Sequence, residues 1–259
     1  MPGSSITAVP EGYTEHAPSP ALRPFVECFW TRRTTGVSQA APSIVIPDGC
    51  IDILLGYDSG AEYPRAALAV GTMTRALVLE GNDHSTFLGV RFRPGRAHPF
   101  LGIPAAALTD LRVEVSDVWR RGRPPLETFD ASDITATIAR LEALLLRRLE
   151  GGATLSPAVQ AAVRAILRAQ GNISIATLAP ALGVTRQHLA RAFALHVGVP
   201  PKTFARVARM RSVLARARAA ARVDWTALAL GAGYYDQAHL VSEMKELTGR
   251  TPGEWVSLR

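Results

Sequence analysis

The sequence predicts a two-domain α+β chain: a small N-terminal β barrel with flanking helices, then an all-α C-terminal half of seven helices. Three observations carry this prediction. Between Leu22 and Pro94, short apolar runs alternate with turn residues, as in a small barrel or sandwich. In the C-terminal part, a helix–turn–helix cadence occurs twice, about fifty residues apart. Charge is also divided: Leu155–Arg259 holds 14 Lys/Arg against 5 Asp/Glu, net +9, whereas Met1–Thr154 holds 15 against 17, net −2. A basic half joined to a nearly neutral half fits a nucleic-acid reader attached to another module.

Met1–Pro20 is rich in Pro, Ser and Gly, and its first residues are expected to fray. The apolar runs that follow are Phe25–Trp30, Ser43–Ile46, Ile51–Tyr57, Ala67–Val70, Leu77–Leu79 and Thr86–Phe92. Pro47-Asp48-Gly49, Asp58-Ser59-Gly60 and Glu80-Gly81-Asn82-Asp83 break them. Pro94–Trp119 mixes short helical pieces with loops, and Arg120-Arg121-Gly122-Arg123-Pro124-Pro125 reads as a connector. Asp130–Glu150 is an amphipathic helix, with Ile134, Ile138, Leu141, Leu144, Leu145 and Leu149 at helical spacing. Asp130 or Ser132 caps its start, and Gly151-Gly152 stops it. Its apolar stripe closes the barrel, meets a partner copy, or does both. The boundaries expected are 1–125 for a regulatory domain, 126–154 for a bridging helix and 155–259 for the basic half.

In that half, Ser156 caps a helix to about Ala169, with Pro157 in its first turn. Helices Ser174–Leu182 and Thr185–His196 flank Gly183; Lys202–Ala219 forms a long connector. Asp224 caps a helix through Leu230, Asp236–Leu247 follows the turn at Gly233, and Thr251-Pro252 opens a last short helix. In both copies a small Ala precedes the turn glycine by four residues, where two helices must cross closely and the turn needs positive φ.

The second helix of such a unit lies in the major groove and turns its N-terminal residues to base edges. On the first reading helix, Leu189 and Phe193 fall on the buried side; Arg186, Gln187, Ala190 and Arg191 face outward, and Thr185 caps. Arg suits guanine and Gln adenine, each good pair discriminating by about 1–3 kcal/mol. The second turn is one residue longer. Its outward set is Gln237, Ala238, Val241 and Ser242, with His239 near the turn or the DNA backbone. Lys202, at the head of the connector, joins the DNA set, while Glu243 and Glu246 make the second helix less attractive to a polyanion. Arg206, Arg209, Arg211, Arg216 and Arg218 line the connector.

These residues resemble the DNA-binding domain of the AraC/XylS family of transcription regulators over about Ser156–Ser257. The resemblance is carried by Leu178-Ala179-x-x-Leu182-Gly183-Val184-Thr185, His188-Leu189-x-Arg191-x-Phe193 and Gly198-Val199-x-Pro201. It continues in Ala229-x-x-x-Gly233-Tyr234-x-Asp236-Gln237-Ala238-His239 and Thr248-Gly249-x-Thr251-Pro252. The family usually carries Arg at the position of Ser242 and often Phe at that of Leu240. The resemblance implies two units joined by one long helix, asymmetric binding to double-stranded promoter DNA, and recruitment or obstruction of RNA polymerase. The N-terminal half resembles the cupin-like, sensor-like domain ahead of such modules, through Pro47-Asp48-Gly49-Cys50-Ile51-Asp52, Gly89–Gly95 and Leu101-Gly102-Ile103. That resemblance implies gating through a small-molecule effector or a homodimer contact.

Candidate effector-binding residues are Phe29, Trp30, Tyr57 and Phe87 as aromatic surface, with Cys50, Asp52 and Arg91 as polar neighbours. The competing reading has the rings filling the core, Cys50 as a buried small side chain and the N-terminal half serving only dimerisation or protein contact. Asp48 closes its own turn, Asp52 pairs with Arg91 or Arg93, and His84 sits in a polar turn. Cys28 and Cys50 match no zinc pattern, and no nucleophile–base pair or phosphate loop occurs. No enzyme, metal or cofactor is therefore expected. With neither a stretch of about 18 apolar residues nor a signal pattern, the expected location is cytoplasmic.

Overall fold

In the computed structural model, the structure describes residues 12–33, 43–58, 60–79, 86–119, 125–150 and 155–257. The expectations on 1–11, on His84 and the turn at 80–83, on the connector at 120–124 and on Gly151-Gly152 lie outside the described residues. Eight strands are described: β1 (Tyr13–His16), β2 (Val26–Arg33), β3 (Ser43–Val45), β4 (Ile51–Tyr57), β5 (Ala66–Val70), β6 (Leu77–Leu79), β7 (Thr86–Phe92) and β8 (Arg112–Glu114). They form an antiparallel six-stranded sheet in the order β1-β2-β7-β4-β5-β8 and a separate ribbon, β3-β6.

The expected barrel is not closed. Closure would require the edge strands β1 and β8 to meet, or β3 and β6 to bridge them. Instead β3 and β6 pair with each other, and their ribbon packs on the C-terminal helices, with Ile44, Ile46 and Ala76 in or against that second core. The short edges β1 and β8 fell below the apolar-run pattern because their residues are mostly exposed.

Alternation assigns the sheet two distinct faces. One carries Phe29, Ile53, Leu55, Tyr57, Leu88 and Val90, all almost wholly buried. It packs against α1 (His98–Leu101), α2 (Val115–Val118) and α3 (Ile134–Leu149) in a single apolar cluster. Thus the stripe on α3 is spent inside its own domain: Leu141, Leu144 and Leu145 are buried there, and Ile134, Ile138 and Leu149 lie against it. Asp133, rather than Asp130 or Ser132, caps α3 by accepting from Ala136 N–H; Asp130 instead accepts from Ser132 N–H.

Seven helices follow among the described residues: α4 (Pro157–Arg168), α5 (Ile175–Ala181), α6 (Arg186–His196), α7 (Pro201–Ala219), α8 (Trp225–Gly231), α9 (Gln237–Thr248) and α10 (Pro252–Ser257). Side chains of Ser156, Thr185, Asp224 and Asp236 cap α4, α6, α8 and α9. The turn glycines Gly183 and Gly233 hold φ of 70° and 81°. α7, 19 residues long and so roughly 28 Å, joins two cores. Its Phe204 and Ala205 pack with α4–α6; its Val207, Met210, Val213 and Leu214 pack with α8–α10.

The two halves are docked. Thr72 Oγ1 donates to Val197 carbonyl and Thr109 Oγ1 to Gly198 carbonyl, just past α6. Ala76 N–H donates to Leu247 carbonyl at the end of α9, 2.8 Å away. Arg211 of α7 donates to Asp48 carbonyl, 3.2 Å away. Gly49, at φ 80°, admits the Phe204 ring: a Cβ there would lie 2.4 Å from it.

Candidate nucleic-acid interface

The first reading unit is built by α5 and α6. Thr185 Oγ1 accepts from His188 N–H, and Leu189 and Phe193 anchor α6 in the core. Helical geometry then turns Arg186, Gln187, Ala190 and Arg191 to solvent, and all four are exposed, as is Thr185. The second unit repeats this with α8 and α9. Asp236 Oδ1 accepts from His239 N–H at 2.7 Å, and Leu240 and Met244 are buried. Gln237, Ala238, His239 and Ser242 are exposed, and Val241 is half-buried. Gln237 Oε1 accepts from Thr226 Oγ1 at 3.1 Å, which leaves its amide NH2 to face outward. Lys202 is exposed at the head of α7. With the N-terminal domain docked, all of these side chains but Val241 remain exposed.

Sequence reasoning misplaced Glu243. Its side chain is 5% exposed and sits between α9 and α7, where Arg206 Nε and Arg209 Nη2 each donate to it at 2.9 Å. Tyr234 hydroxyl donates to the same carboxylate at 2.7 Å, and the Arg209 guanidinium lies 4.2 Å from the Tyr234 ring centre. Glu243 is therefore neutralised inside the unit and does not confront a polyanion. Arg206 also reaches Glu246, so Arg206 and Arg209 staple the second unit to α7 rather than lining a phosphate path. The i, i+3 spacing of Arg206/Arg209 and of Glu243/Glu246 was the available signal; the pairing spans more than thirty residues and needed the fold.

On the face of the sheet opposite the core, the N-terminal residues separate into two groups. Trp30, Asp52, Phe87 and Arg91 share this face, since Trp30 lies opposite Gly89 and Asp52 opposite Arg91. Trp30 Nε1 donates to Asp52 at 3.0 Å, and Arg91 lies 3.4 Å from Asp52 and 3.7 Å from Asp48. Burial pushes the Asp52 carboxyl above its ordinary range, with Arg91 opposing; Asp52 in turn raises Arg91. Cys50 is buried beside this group, its Sγ 3.8 Å from Glu27, and burial pushes its thiol up; burial also pushes Cys28 up to about 12. Both thiols are held protonated, against the low-pKa environment a reactive thiol needs. Phe29 and Tyr57 point the other way, into the packed core. The aromatic set expected to line one pocket is thus divided by the sheet.

An open groove of about 300 Å³ lies beside this face, lined by Val70, Met73, Arg75, Leu77, Leu111 and Arg112 among others. Among the described residues, no group of three or more His, Cys, Asp or Glu is placed to hold a metal ion, and no helix is long and apolar enough to cross a membrane.

Residues 178–257 match the profile of a helix-turn-helix domain family, of the AraC type. Residues 178–257 are a helix-turn-helix DNA-binding domain of the AraC type. Such a domain is that of a transcription regulator. Residues 14–114, ahead of it, match a domain of unknown function (DUF6597). No curated protein matches the chain.

Among solved structures, ToxT from Vibrio cholerae, in its P21 form, is similar at 10% identity over 88% of this chain and 98% of that one, with a TM-score of 0.45. ToxT of strain O395 bound to (E)-4-(8-methylnaphthalen-1-yl)but-3-enoic acid is similar at 10% identity over 88% and 98%, TM-score 0.46. Unsaturated fatty acid bound wild-type ToxT of strain SCE256 gives 10% over 87% and 93%, TM-score 0.44.

The segment Gly71–Ala76 was invisible to the sequence reading. Thr72, wholly buried, holds the end of α6, and Ala76 holds the end of α9, so one short strap touches both units of the AraC-type domain. Neither residue type carries a pattern that foretells a partner more than 100 residues away.

Proposed function

We propose that this chain is an effector-controlled transcription regulator that reads double-stranded promoter DNA with two helices. In this reading Arg186, Gln187, Ala190 and Arg191 of α6 contact bases or phosphates, with Thr185 and Lys202 on the backbone. Gln237, Ala238, His239, Val241 and Ser242 of α9 form a second, less charged contact. The observation that carries the reading is the exposure of these side chains around two turns of the same design, while their apolar neighbours are buried. The N-terminal domain, through 1–125 and the helix of 126–154, would act by fixing how the two units sit relative to each other. Support for this comes from the strap, which holds both units without covering a reading face. An effector near Trp30, Cys50, Asp52, Phe87 and Arg91, a homodimer contact, or RNA polymerase would act through that docking.

A second reading, in which the N-terminal domain is only a scaffold, is favoured by the solid packing of Phe29 and Tyr57 in the core. Thermal-shift titration with metabolite libraries separates the two, because a specific ligand raises Tm in proportion to the logarithm of its concentration. The DNA reading is tested by Arg191→Ala in fluorescence anisotropy on duplexes selected by the wild-type chain. A base reader loses about 1–3 kcal/mol and relaxes preference at one position; a wild type that selects no duplex refutes the assignment.

A further inference from the structure

We propose that the open groove beside the strap binds a small organic monoanion with an apolar body, and that an effector acts there; the second part rests on the effector reading above, the first does not. The groove, about 300 Å³, lies where the chain leaves β5, runs through the strap and returns past Asp110 into β8. That volume is at the small end of the range that holds organic ligands. Arg112 pairs across the ladder with Val70, Val70 with Asp52, and Asp52 with Arg91. The groove therefore occupies the β8 edge of the sheet face that carries Trp30, Asp52 and Arg91. Its walls are braced by backbone: Gly71 N–H donates to Leu111 carbonyl at 3.0 Å and Asp110 N–H to Thr72 carbonyl at 3.1 Å. Thr74 donates from its N–H and its hydroxyl to the two Asp110 carboxylate oxygens, each at 2.6 Å, and Asp110 is held at a left-handed φ of 58°.

The lining decides the chemistry of the guest. Val70, Met73 and Leu111 supply apolar surface; Leu111 is 50% exposed, and the unbranched Met73 can adapt to what lies beside it. Arg75, Arg112 and Asp110 supply the charge. The Asp110 oxygens already accept from Thr74, whereas both arginines are exposed and, among the described residues, neither has a carboxylate at ion-pair distance. Two guanidinium groups against one carboxylate leave a single positive charge to be matched over an apolar floor. One negative charge on an apolar body complements it; a neutral guest leaves it unmatched, and a polyanion meets the Asp110 carboxylate. Met73 and Arg75 belong to the strap itself. The strap holds Val197 carbonyl through Thr72 and Leu247 carbonyl through Ala76, so a guest that draws Arg75 inward pulls on the backbone from which both reading units hang.

The test uses the full-length chain without DNA and two fluorescent molecules of similar shape: anilinonaphthalene sulfonate, a monoanion, and phenylnaphthylamine, its neutral counterpart. Titration is expected to give one saturable site for the anion, with the neutral molecule about 10-fold weaker or more, the scale of one hydrogen bond to a charged group. Arg75→Ala and Arg112→Ala should each weaken the anion about 10-fold and leave the neutral molecule as it was. Leu111→Ser should weaken both, whereas Leu230→Ser, which removes an exposed apolar side chain on α8, should change neither. Equal affinity for the two molecules overturns the choice of an anion. Wild-type titrations in both arginine variants, or a loss produced by Leu230→Ser instead, overturn the groove. With the anion bound, hydrogen exchange at the Ala76 amide should change; an unaltered rate overturns the action on the strap while the site stands. Failure of any of these leaves the reading of DNA by α6 and α9 untouched, since no duplex is present.

Discussion

At the scale of single residues, Glu243 sets the behaviour of the second unit. A carboxylate removed from water is tolerated only while its partners remain, and here two guanidinium groups and a phenol surround it. Glu243→Ala leaves Arg206 and Arg209 without their shared counter-charge, so it should lower stability by about 3–5 kcal/mol in urea unfolding. An unchanged midpoint would show that the network contributes nothing net. This residue also marks where a linear reading fails. Leu189, Phe193 and Leu240 could be placed inside from helical spacing alone, because each obeys the period of its own helix. Glu243 shares that inner stripe with Leu240, Met244 and Leu247, yet its charge argued for solvent, and only the distant arginines of α7 explain its position.

At the scale of elements, local chemistry was largely legible. Ser156, Thr185, Asp224 and Asp236 stand where side-chain caps are needed, and each accepts from the amide three residues on. These signals are confined to one turn, so no tertiary information is needed to read them. Asp236→Ala should cost about 0.5–2 kcal/mol and fray the head of α9. Hydrogen exchange at His239 and Leu240 would report it as faster opening, whereas Thr185→Ala should speed exchange in α6 and leave α9 as it was. If either substitution loosened both helices equally, the units would not be independent in the way their separate cores indicate. Strands were less legible. β2 to β7 each fall on an apolar run, but barrel closure depends on which edges meet, a non-local matter of register. β3 and β6 were drawn to the helices through Ile44, Ile46 and Ala76.

At the scale of the molecule, the seam between the halves has a titratable element. The rings of His98 on α1 and His196 on α6 meet edge to face, 4.8 Å apart, and His196 is 6% exposed, its Nδ1 without a hydrogen-bond partner among the described residues. Burial first, and His98 second, lower the His196 pKa. The buried imidazole thus takes up a proton less readily than when released, and the released form gains protons as pH falls below about 6.5. Docking is therefore fully stable above that pH and weakens on acidification. His196→Gln should flatten the dependence of Tm on pH between about 8 and 5.5; an equally steep fall in the variant would place the effect elsewhere.

The strap of Gly71–Ala76 has one more consequence. Its two ends hold carbonyls belonging to different reading units, so a duplex whose curvature turns one unit against the other must strain the same short piece of backbone. Coupling of this kind runs in both directions. Two promoters of equal affinity but unequal bend would leave the N-terminal domain in two different conformational balances, and the nucleic acid would itself become a modulator of whatever that domain recognises.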